Sequence, residues 1–448
     1  PPPPAVHPGG RSPWHVSQKM LFLVLLTAVT VQFAVIERVS RPKELTRPRN
    51  VLLITIDSLR ADCLGCYGHA QAHTPNMDAL AAEGVRFDAA FSQASWTWPS
   101  VSSIMTSTYV STHGAWSWNL EISHKLQTLP GLLAAKGWDG HLISGHQGLS
   151  DENALTRGMV STVNADTDRM ADAASTALSR IAQDHQFFAW VHLMDAHHTS
   201  VEFDTGCFPG RPDYPVFYDG GVAKADAKVG VIVDALKGAG VYEQTLIFVT
   251  ADHGEGFGSG IYGFKTHGYL LTDELMRVPL IMVHAPGVAG GVVTSKLVEH
   301  IDIAPTVCDA LDIARPSTFE GFSLLPLLRG EGGESEVVHG ENIQFSTSQG
   351  DSAIRRGDWS EIRTSARTRD WKLVQVMTRA WAPRYELYNI AEDPAEKFNL
   401  AAREPARLAA MVSKLEAWRH RTRAMSVGEP RHLNEQQRED LRNLHYEI

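Results

Sequence analysis

Continuous runs of apolar and β-branched residues recur along the chain, and segments with helical periodicity separate them. The runs that predict strands buried on both faces are 51–56, 140–144, 187–194, 245–250 and 278–283. The segments that predict helices are 74–83, 128–136, 167–182, 222–236 and 301–311. This alternation predicts an α/β fold with a large, mostly parallel sheet flanked by helices.

The pattern changes after a polar segment at 331–336 that is rich in glycine and glutamate. Beyond it, 369–374 and 385–388 predict strands, and 405–419 predicts a helix. We therefore expect a large domain over 50–335, a smaller C-terminal α+β subdomain over 336–425, and a poorly ordered charged tail over 426–448.

The N-terminal part has two different compositions. Residues 1–19 are proline-rich and predict a disordered segment, whereas 20–36 is apolar apart from Thr27, Thr30 and Gln32. The length of the apolar run suits a signal peptide or a short membrane anchor, so we expect a membrane-anchored or exported protein. Basic residues are denser after the run than before it, a distribution that by itself would keep the main domain cytoplasmic.

Composition and charge narrow the choice of partners. The chain has 448 residues, a formal net charge of −10 and no long basic run, so we expect no nucleic-acid partner. A small anionic substrate would have to be held by local positive groups or by a metal ion. The four cysteines have neither zinc-site spacing nor the pattern of a disulfide framework. The sequence leaves the oligomeric state open.

Three of the predicted strands end in acidic or histidine side chains. Asp57 follows the first strand, His197 follows the third, and Asp252 and His253 follow the fourth. Because the carboxyl ends of parallel strands line the ligand crevice of doubly wound sheets, we expect these side chains to meet. One such ending is typical of an ordinary helix cap, but three on alternating units predict a metal or phosphate site.

A candidate nucleophile lies in the segment 94–107. Pro99 and the small residues after it predict the first turn of a helix, which places Thr97 just before a helix N-terminus that attracts anions. A hydroxyl at such a point can attack a bound phosphate or sulfate if a metal or base takes its proton. Ser or Thr before proline is more often a simple N-cap, so this segment does not decide the function alone.

Together these residues predict a site for one divalent cation. The oxygen of Thr97, the carboxylates of Asp57 and Asp252 and the imidazole of His253 would form a mixed oxygen and nitrogen ligand set. Mixed Asp/His ligation suits Mn²⁺ or Zn²⁺, and an oxygen-dominated version suits Mg²⁺ or Ca²⁺. A glycine-rich loop over 254–268 then carries Lys265 and His267 close behind this strand end.

Several motifs, in order, resemble the sulfatase family of the alkaline phosphatase superfamily. They are ITIDSLRADCLGCYG at 54–68, TPNMDALAAEGV at 74–85, SWTWPS at 95–100, DAH at 195–197, YDG at 218–220, TADHGE at 250–255 and ELYN at 386–389. The resemblance implies an alkaline-phosphatase-like sandwich whose 50–335 domain is catalytic, and a metal-dependent hydrolase or transferase of sulfate or phosphate esters.

The resemblance also implies roles for individual residues. Asp57, Asp252 and His253 would be metal ligands, and Thr97 would stand at the nucleophile position. The residues that would contact the anion or protonate the leaving group are His197, Lys265 and His267.

The chain departs from the family pattern at the nucleophile. Sulfatases proper convert Cys or Ser of a C/S-x-P-S-R motif to formylglycine, whereas this chain has Thr97 in that place and Val101 in place of the arginine. Threonine cannot form that aldehyde, so formylglycine is not expected. Threonine at this position resembles phosphatases, phosphodiesterases and lipid-headgroup phosphotransferases of the same superfamily.

Two further departures reduce the charge of the site. Ser58 replaces the second carboxylate of a paired Asp-Asp, and Gly-His-Gln-Gly at 145–148 replaces a Gly-Lys-Trp-His segment.

Three hypotheses for the function follow. The first is phosphoryl-type transfer through Thr97, the second a sulfatase that works without formylglycine, and the third a non-catalytic scaffold. The retained metal ligands count against the scaffold.

Overall fold

The computed structural model describes residues 47–150, 153–182, 186–197, 216–257, 267–332, 335–345, 359–378, 382–422 and 429–430, together with Pro1, Glu435 and Glu439. Apart from Pro1, these residues belong to one compact unit, from Arg47 to Ile448. The predicted apolar run at 20–36, Lys265 and most of the predicted tail lie outside the described residues.

The strands alternate with helices as the sequence pattern predicts. In chain order the strands are β1 (Asn50–Ile56), β2 (Val85–Phe91), β3 (Leu120–Glu121), β4 (Asp139–Ser144), β5 (Met159–Asn164), β6 (Phe187–Leu193), β7 (Thr245–Ala251), β8 (Arg277–Val283), β9 (Val292–Glu299), β10 (Val338–Phe345), β11 (Trp359–Arg367), β12 (Trp371–Thr378), β13 (Arg384–Asn389) and β14 (Glu429–Pro430). They form an eight-stranded sheet, a four-stranded sheet and a two-stranded pair.

Along the chain, most helices come between strands of the large sheet. They are α1 (Pro75–Glu83), α2 (Thr97–Thr106), α3 (Val110–His113), α4 (Leu129–Ala134), α5 (Gln147–Ser150), α6 (Met170–Ile181), α7 (Val216–Gly238), α8 (Asp273–Met276), α9 (Ile303–Leu311), α10 (Leu324–Leu328) and α11 (Pro405–Arg421). Every residue of α2 is buried, so this helix runs through the interior rather than along the surface.

The large sheet has the strand order β5-β4-β6-β1-β7-β8-β2-β9. Strand β8 runs antiparallel to both of its neighbours, while the other pairings are parallel. The central strands β6, β1 and β7 are buried along their whole length, as their continuous apolar sequences predict. The predicted α/β architecture is confirmed.

The register of the three central strands brings their carboxyl ends to one level. Ile56 pairs with Leu193 of β6 and with Ala251 of β7. Asp57 and Asp252, which directly follow Ile56 and Ala251, therefore lie side by side. The strand ends that the sequence singles out meet because the sheet is parallel here.

The C-terminal part is an antiparallel sheet with the order β10-β11-β12-β13, covered by α11. Its small core includes Leu373, Leu387, Leu415 and Trp418. This agrees with the predicted smaller α+β unit, but the sequence pattern predicted only two of the four strands. The domain boundary at 336 stays a prediction. In the tail, Glu429–Pro430 pairs with β3.

Strands β2 and β9 were not predicted, and the reason is visible in their burial. Strand β2 mixes buried with partly buried positions, and the first five residues of β9 are partly or fully exposed. Both sequences mix polar with apolar residues, so neither is a continuous apolar run. Strand β9 lies at the edge of the sheet, where side chains such as Lys296 are tolerated.

A buried ionic network joins the C-terminal sheet to α8. The Lys372 ammonium lies 2.8 Å from Asp273 Oδ1 and 2.9 Å from Glu396 Oε1, and its side chain is 1% exposed. Arg367 Nη2 also lies 3.0 Å from Asp273 Oδ2. Removing one member would leave buried charge without its partner, which is much costlier than losing an exposed pair.

We expect Lys372→Ala to lower the free energy of unfolding by about 3–5 kcal/mol. The matched control is Lys414→Ala, because Lys414 makes an exposed 3.2 Å pair with Glu336 and should lose only about 0–1 kcal/mol. Urea denaturation at neutral pH measures both values. Equal losses in the two variants would contradict the buried network.

Candidate active site

Two carboxylates form the floor of the site at the ends of β1 and β7. Asp57, Ser58 and Asp252 are fully buried. Ser58 has a positive φ of 59°, and its backbone N–H donates to Asp252 Oδ1 at 3.1 Å while its hydroxyl donates to Asp57 Oδ1 at 2.8 Å. Ser58, which replaces an expected carboxylate, thus ties the two acids together.

His253 adds an imidazole whose orientation is fixed by the backbone. Its Nδ1 lies 2.8 Å from the Gly254 carbonyl oxygen. Because that oxygen can only accept, Nδ1 carries a hydrogen, so in the neutral ring Nε2 is the nitrogen with a lone pair to offer a cation. Nε2 lies 3.5 Å from Asp252 Oδ2 and 3.7 Å from Asp57 Oδ1. A side chain at Gly254 would overlap the Glu274 carbonyl, so glycine is required beside this histidine.

Thr97 reaches the same point from helix α2. Its hydroxyl donates to Asp57 Oδ2 at 3.2 Å, and Thr97 Oγ1 also lies 3.4 Å from His253 Nε2. Thr97 is the first residue of the helix rather than the residue before it, with Trp96 at the cap. The candidate nucleophile therefore stands in the first turn of α2, at the end of a helix that attracts anions.

The described residues fit a divalent cation. Ligand atoms of Asp57, Asp252 and His253 lie within 4.8 Å of one another, and all three residues are buried. Within the described part of the chain, Asp252 Oδ2 has no hydrogen-bond partner. Burial, together with the charge of Asp57, raises the pKa of Asp252. A cation would satisfy this oxygen and offset the repulsion between the carboxylates.

Two more of the predicted residues lie beside this cluster. The ring of His267 lies 4.6 Å from that of His253 and 5.3 Å from that of His197. Burial opposes a charge on His267, but the Glu255 carboxylate, 2.9 Å from Nδ1, outweighs it and raises the pKa of His267 to about 9. The Glu255 carboxylate therefore favours the positively charged form of His267. Lys265 lies outside the described residues, so its predicted role stays a prediction.

The sequence did not predict a role for His192, another residue near the site. His192 lies inside strand β6, with Nε2 3.5 Å from Asp57 Oδ2. The signal was a histidine within an otherwise apolar strand. Asp195, by contrast, follows a strand end but makes a 2.5 Å ion pair with Lys228 of α7.

An aromatic stack stands where the family pattern has a lysine segment. His146 stacks on Trp118 with ring centroids 4.9 Å apart, and Trp118 stacks on Trp98 at 5.2 Å. Trp98 directly follows the candidate nucleophile, and its indole N–H donates to the Leu120 carbonyl at 2.7 Å. This wall fixes the start of α2 by packing instead of by charge.

A comparison with family models decides the classification. The sulfatase family model matches residues 49–313, more than half of the chain. The chain belongs to the sulfatase family. A second model, the C-terminal region of N-sulphoglucosamine sulphohydrolase, matches residues 262–421. As a sulfatase-family member with an alkaline-phosphatase-like fold, the protein is an ester hydrolase.

Relatives named as arylsulfatases agree with this classification, and a solved structure shares the fold. Arylsulfatase A of Homo sapiens is 26% identical over 432 residues, covering 79% of this chain and 83% of that protein. Arylsulfatase K of Bos taurus is 27% identical over 232 residues, covering 51% of this chain but only 41% of that protein. The phosphonate monoester hydrolase of Agrobacterium radiobacter superposes with a TM-score of 0.67 at 21% identity, covering 84% of this chain and 96% of that one.

We expect metal removal to destabilise this sulfatase-family protein. A cation that binds only the folded state adds about 2.7 kcal/mol when its free concentration is 100 times its Kd. Chelation should therefore lower Tm, and Asp252→Ala should abolish the metal-dependent part of Tm. Differential scanning fluorimetry with and without chelator measures both effects.

The chain offers a matched control for this experiment. Glu83, Glu243 and His284 form a second acidic and histidine cluster at a more exposed position. Glu243→Ala should leave the chelation-dependent change in Tm intact. If chelation leaves Tm unchanged in the unmodified protein, the metal assignment at Asp57, Asp252 and His253 is wrong.

Proposed function

We propose that this protein cleaves phosphate or sulfate esters through a covalent intermediate on Thr97, with phosphoryl transfer favoured. One observation carries the proposal: the Thr97 hydroxyl lies 3.2 Å from Asp57 Oδ2 and 3.4 Å from His253 Nε2 in a buried site. Asp57, Asp252 and His253 would hold one divalent cation, with Thr97 Oγ1 as a further ligand.

Each residue has a defined part in the proposed reaction. The bound cation would acidify the Thr97 hydroxyl and bind non-bridging oxygens of the substrate. Thr97 Oγ1 releases its proton to water and forms a bond to phosphorus while the bond to the leaving oxygen breaks, and the first turn of α2 stabilises the developing charge. The side chains that contact the anion or protonate the leaving oxygen are His197, Lys265 and His267. Water then attacks phosphorus and releases Thr97.

The threonine favours phosphorus over sulfur. A formylglycine hydrate releases sulfate by collapsing to the aldehyde, with no attack of water at sulfur. A sulfated threonine has no such exit and must wait for direct hydrolysis. A phosphorylated Thr97, by contrast, is cleared by in-line attack of water or of an acceptor alcohol. This difference carries the preference for phosphate esters, including diesters and monoesters.

The alternative is a sulfatase that works without formylglycine, and the curated relatives favour it. Arylsulfatases A and K, among the most similar relatives, are named for sulfate esters. A non-catalytic scaffold was the third hypothesis, and membership of a family of ester hydrolases opposes it. The assembled cluster of Asp57, Asp252 and His253 supports an enzyme as well.

We also propose that the apolar run over 20–36 makes the protein membrane-associated or exported. No helix among the described residues is long and apolar enough to cross a membrane. The run over 20–36 lies outside the described residues. Fractionation of cells should find the full chain in the membrane or exported fraction, and Leu25→Asp combined with Leu26→Asp should move it to the cytosol. Leu25→Ile is the control. Full-length, uncleaved protein found wholly in the cytosol contradicts this proposal.

We expect Thr97→Ala to lower kcat by at least about 10³-fold, because the covalent route is closed. Thr97→Ser keeps a hydroxyl and should retain measurable turnover. The assay compares p-nitrophenyl phosphate, bis(p-nitrophenyl) phosphate and p-nitrophenyl sulfate on each variant. Intact mass after rapid quench should show a phosphoryl adduct that Thr97→Ala lacks.

Thr106→Ala is the matched control, since Thr106 lies buried in the same helix and its hydroxyl donates to the Ser102 carbonyl oxygen. Its kcat should stay close to that of the unmodified protein. An undiminished Thr97→Ala enzyme refutes the nucleophile. Faster turnover of the sulfate ester than of both phosphate esters supports the alternative sulfatase.

A further inference from the structure

His192 is a buried polar residue that the proposed reaction does not use. It lies in β6, next to β1, and its side chain has no exposure to solvent. Burying an imidazole in the apolar centre of a sheet costs free energy unless its nitrogens find partners. The partners of this ring therefore indicate what the histidine does.

A chain of polar groups leads through His192 to the active site. The Trp190 indole N–H donates to Thr55 Oγ1 at 2.8 Å, and Thr55 Oγ1 lies 2.8 Å from His192 Nδ1. On the other side of the ring, Nε2 lies 3.5 Å from Asp57 Oδ2. Strand register holds this arrangement, because Thr55 of β1 pairs with His192 of β6.

The position of the ring hydrogen follows from the groups at its two ends. Asp57 offers only acceptor oxygens, so a lone pair on Nε2 would face a negative charge and be repelled. A hydrogen on Nε2 makes that contact attractive, and the Thr55 hydroxyl then donates to Nδ1. Thr55 can do so because it receives the Trp190 N–H through a lone pair and keeps its own hydrogen free to donate.

We propose that His192 is a positioning residue that orients Asp57 for metal binding. The inference rests on the proposed function, because it takes Asp57 to be a metal ligand. Ser58 Oγ holds Asp57 Oδ1 at 2.8 Å, and His192 faces the other oxygen. His192 Nε2 makes no standard hydrogen bond among the described residues, so its link to Asp57 Oδ2 is a longer polar contact of 3.5 Å. Outer polar contacts commonly orient ligand carboxylates, and their loss typically weakens metal binding about 10–100-fold.

His192 acts through Asp57 and not as a ligand itself. A protonated Nε2 has no lone pair to give to a cation. At this end of the sheet, the ligand atoms that lie within 4.8 Å of one another come from Asp57, Asp252 and His253. A serine at 58, in place of a second carboxylate, leaves the orientation of Asp57 more dependent on neighbouring donors such as His192.

Titration of the metal-free protein with Co²⁺, followed by visible absorption, tests the proposal. We expect His192→Phe to weaken Co²⁺ binding about 10–100-fold, because the ring is kept but the N–H is lost. His192→Gln, which retains a side-chain N–H, should bind Co²⁺ more tightly than His192→Phe. The spectrum at saturation should be unchanged in both variants, since the ligands stay the same.

Thr55→Val tests the same chain from its other side and serves if His192→Phe does not fold. Without the Thr55 hydroxyl, the ring loses the donor that places its hydrogen on Nε2, so Co²⁺ binding should weaken by about 10-fold. The matched control is His113→Phe. His113 is equally buried and bonds a hydroxyl, Ser103 Oγ at 3.1 Å, but does not face Asp57, so its Kd should stay within about twofold.

The outcomes separate this inference from the proposed function. Unchanged Kd values in the His192 and Thr55 variants overturn the positioning role, and so does an altered spectrum at saturation, which would make His192 a ligand. If the unmodified protein does not bind Co²⁺, or if Asp252→Ala leaves Co²⁺ binding unchanged, the metal site is wrong and this inference fails with it. Intact Co²⁺ binding without esterase activity overturns only the proposed reaction.

Discussion

The site depends on the burial of two carboxylates side by side at the end of a parallel sheet. Asp57 and Asp252 have no access to solvent, and Ser58 joins them: its N–H donates to Asp252 Oδ1 and its hydroxyl donates to Asp57 Oδ1. Two like charges in a medium of low dielectric repel strongly unless a positive charge lies between them. The surrounding histidines, the start of helix α2 and the strained turn at Ser58 all serve this constraint.

The remaining positive charge of the site is modest. Within the described residues, His267 is the histidine beside the cluster whose charge is stabilised by a carboxylate, while the lysine segment of the family is replaced by stacked rings of His146 and Trp118. Arg60, near the same strand end, is already paired with Asp62 and Glu274. In the proposed reaction, the cation and the start of helix α2 would therefore add to the anion contacts of His197, Lys265 and His267.

The sequence predicted the elements whose pattern depends on burial on both faces. Strands β1, β6 and β7 were found because they are continuous apolar runs, and Asp57, Asp252 and His253 were found because they stop those runs. Strands β2 and β9 were missed because one side of each is partly exposed and their sequences mix polar with apolar residues. A pattern of local residues cannot reveal pairing between strands that are distant in the chain.

His192 shows why a proposed supporting residue is harder to predict than a candidate ligand. A ligand at a strand end interrupts an apolar run, so it is visible in the sequence. A supporting residue sits inside the run, and its meaning comes only from the register that sets Thr55 beside it and Asp57 beyond. Because strand register is a tertiary property, a histidine in a buried strand becomes interpretable only when the neighbouring strand is known. The same reasoning applies to Ser58. In the sequence alone, a serine in place of a carboxylate indicates only the loss of a negative charge from the site. In the folded chain its N–H and hydroxyl join the two acids.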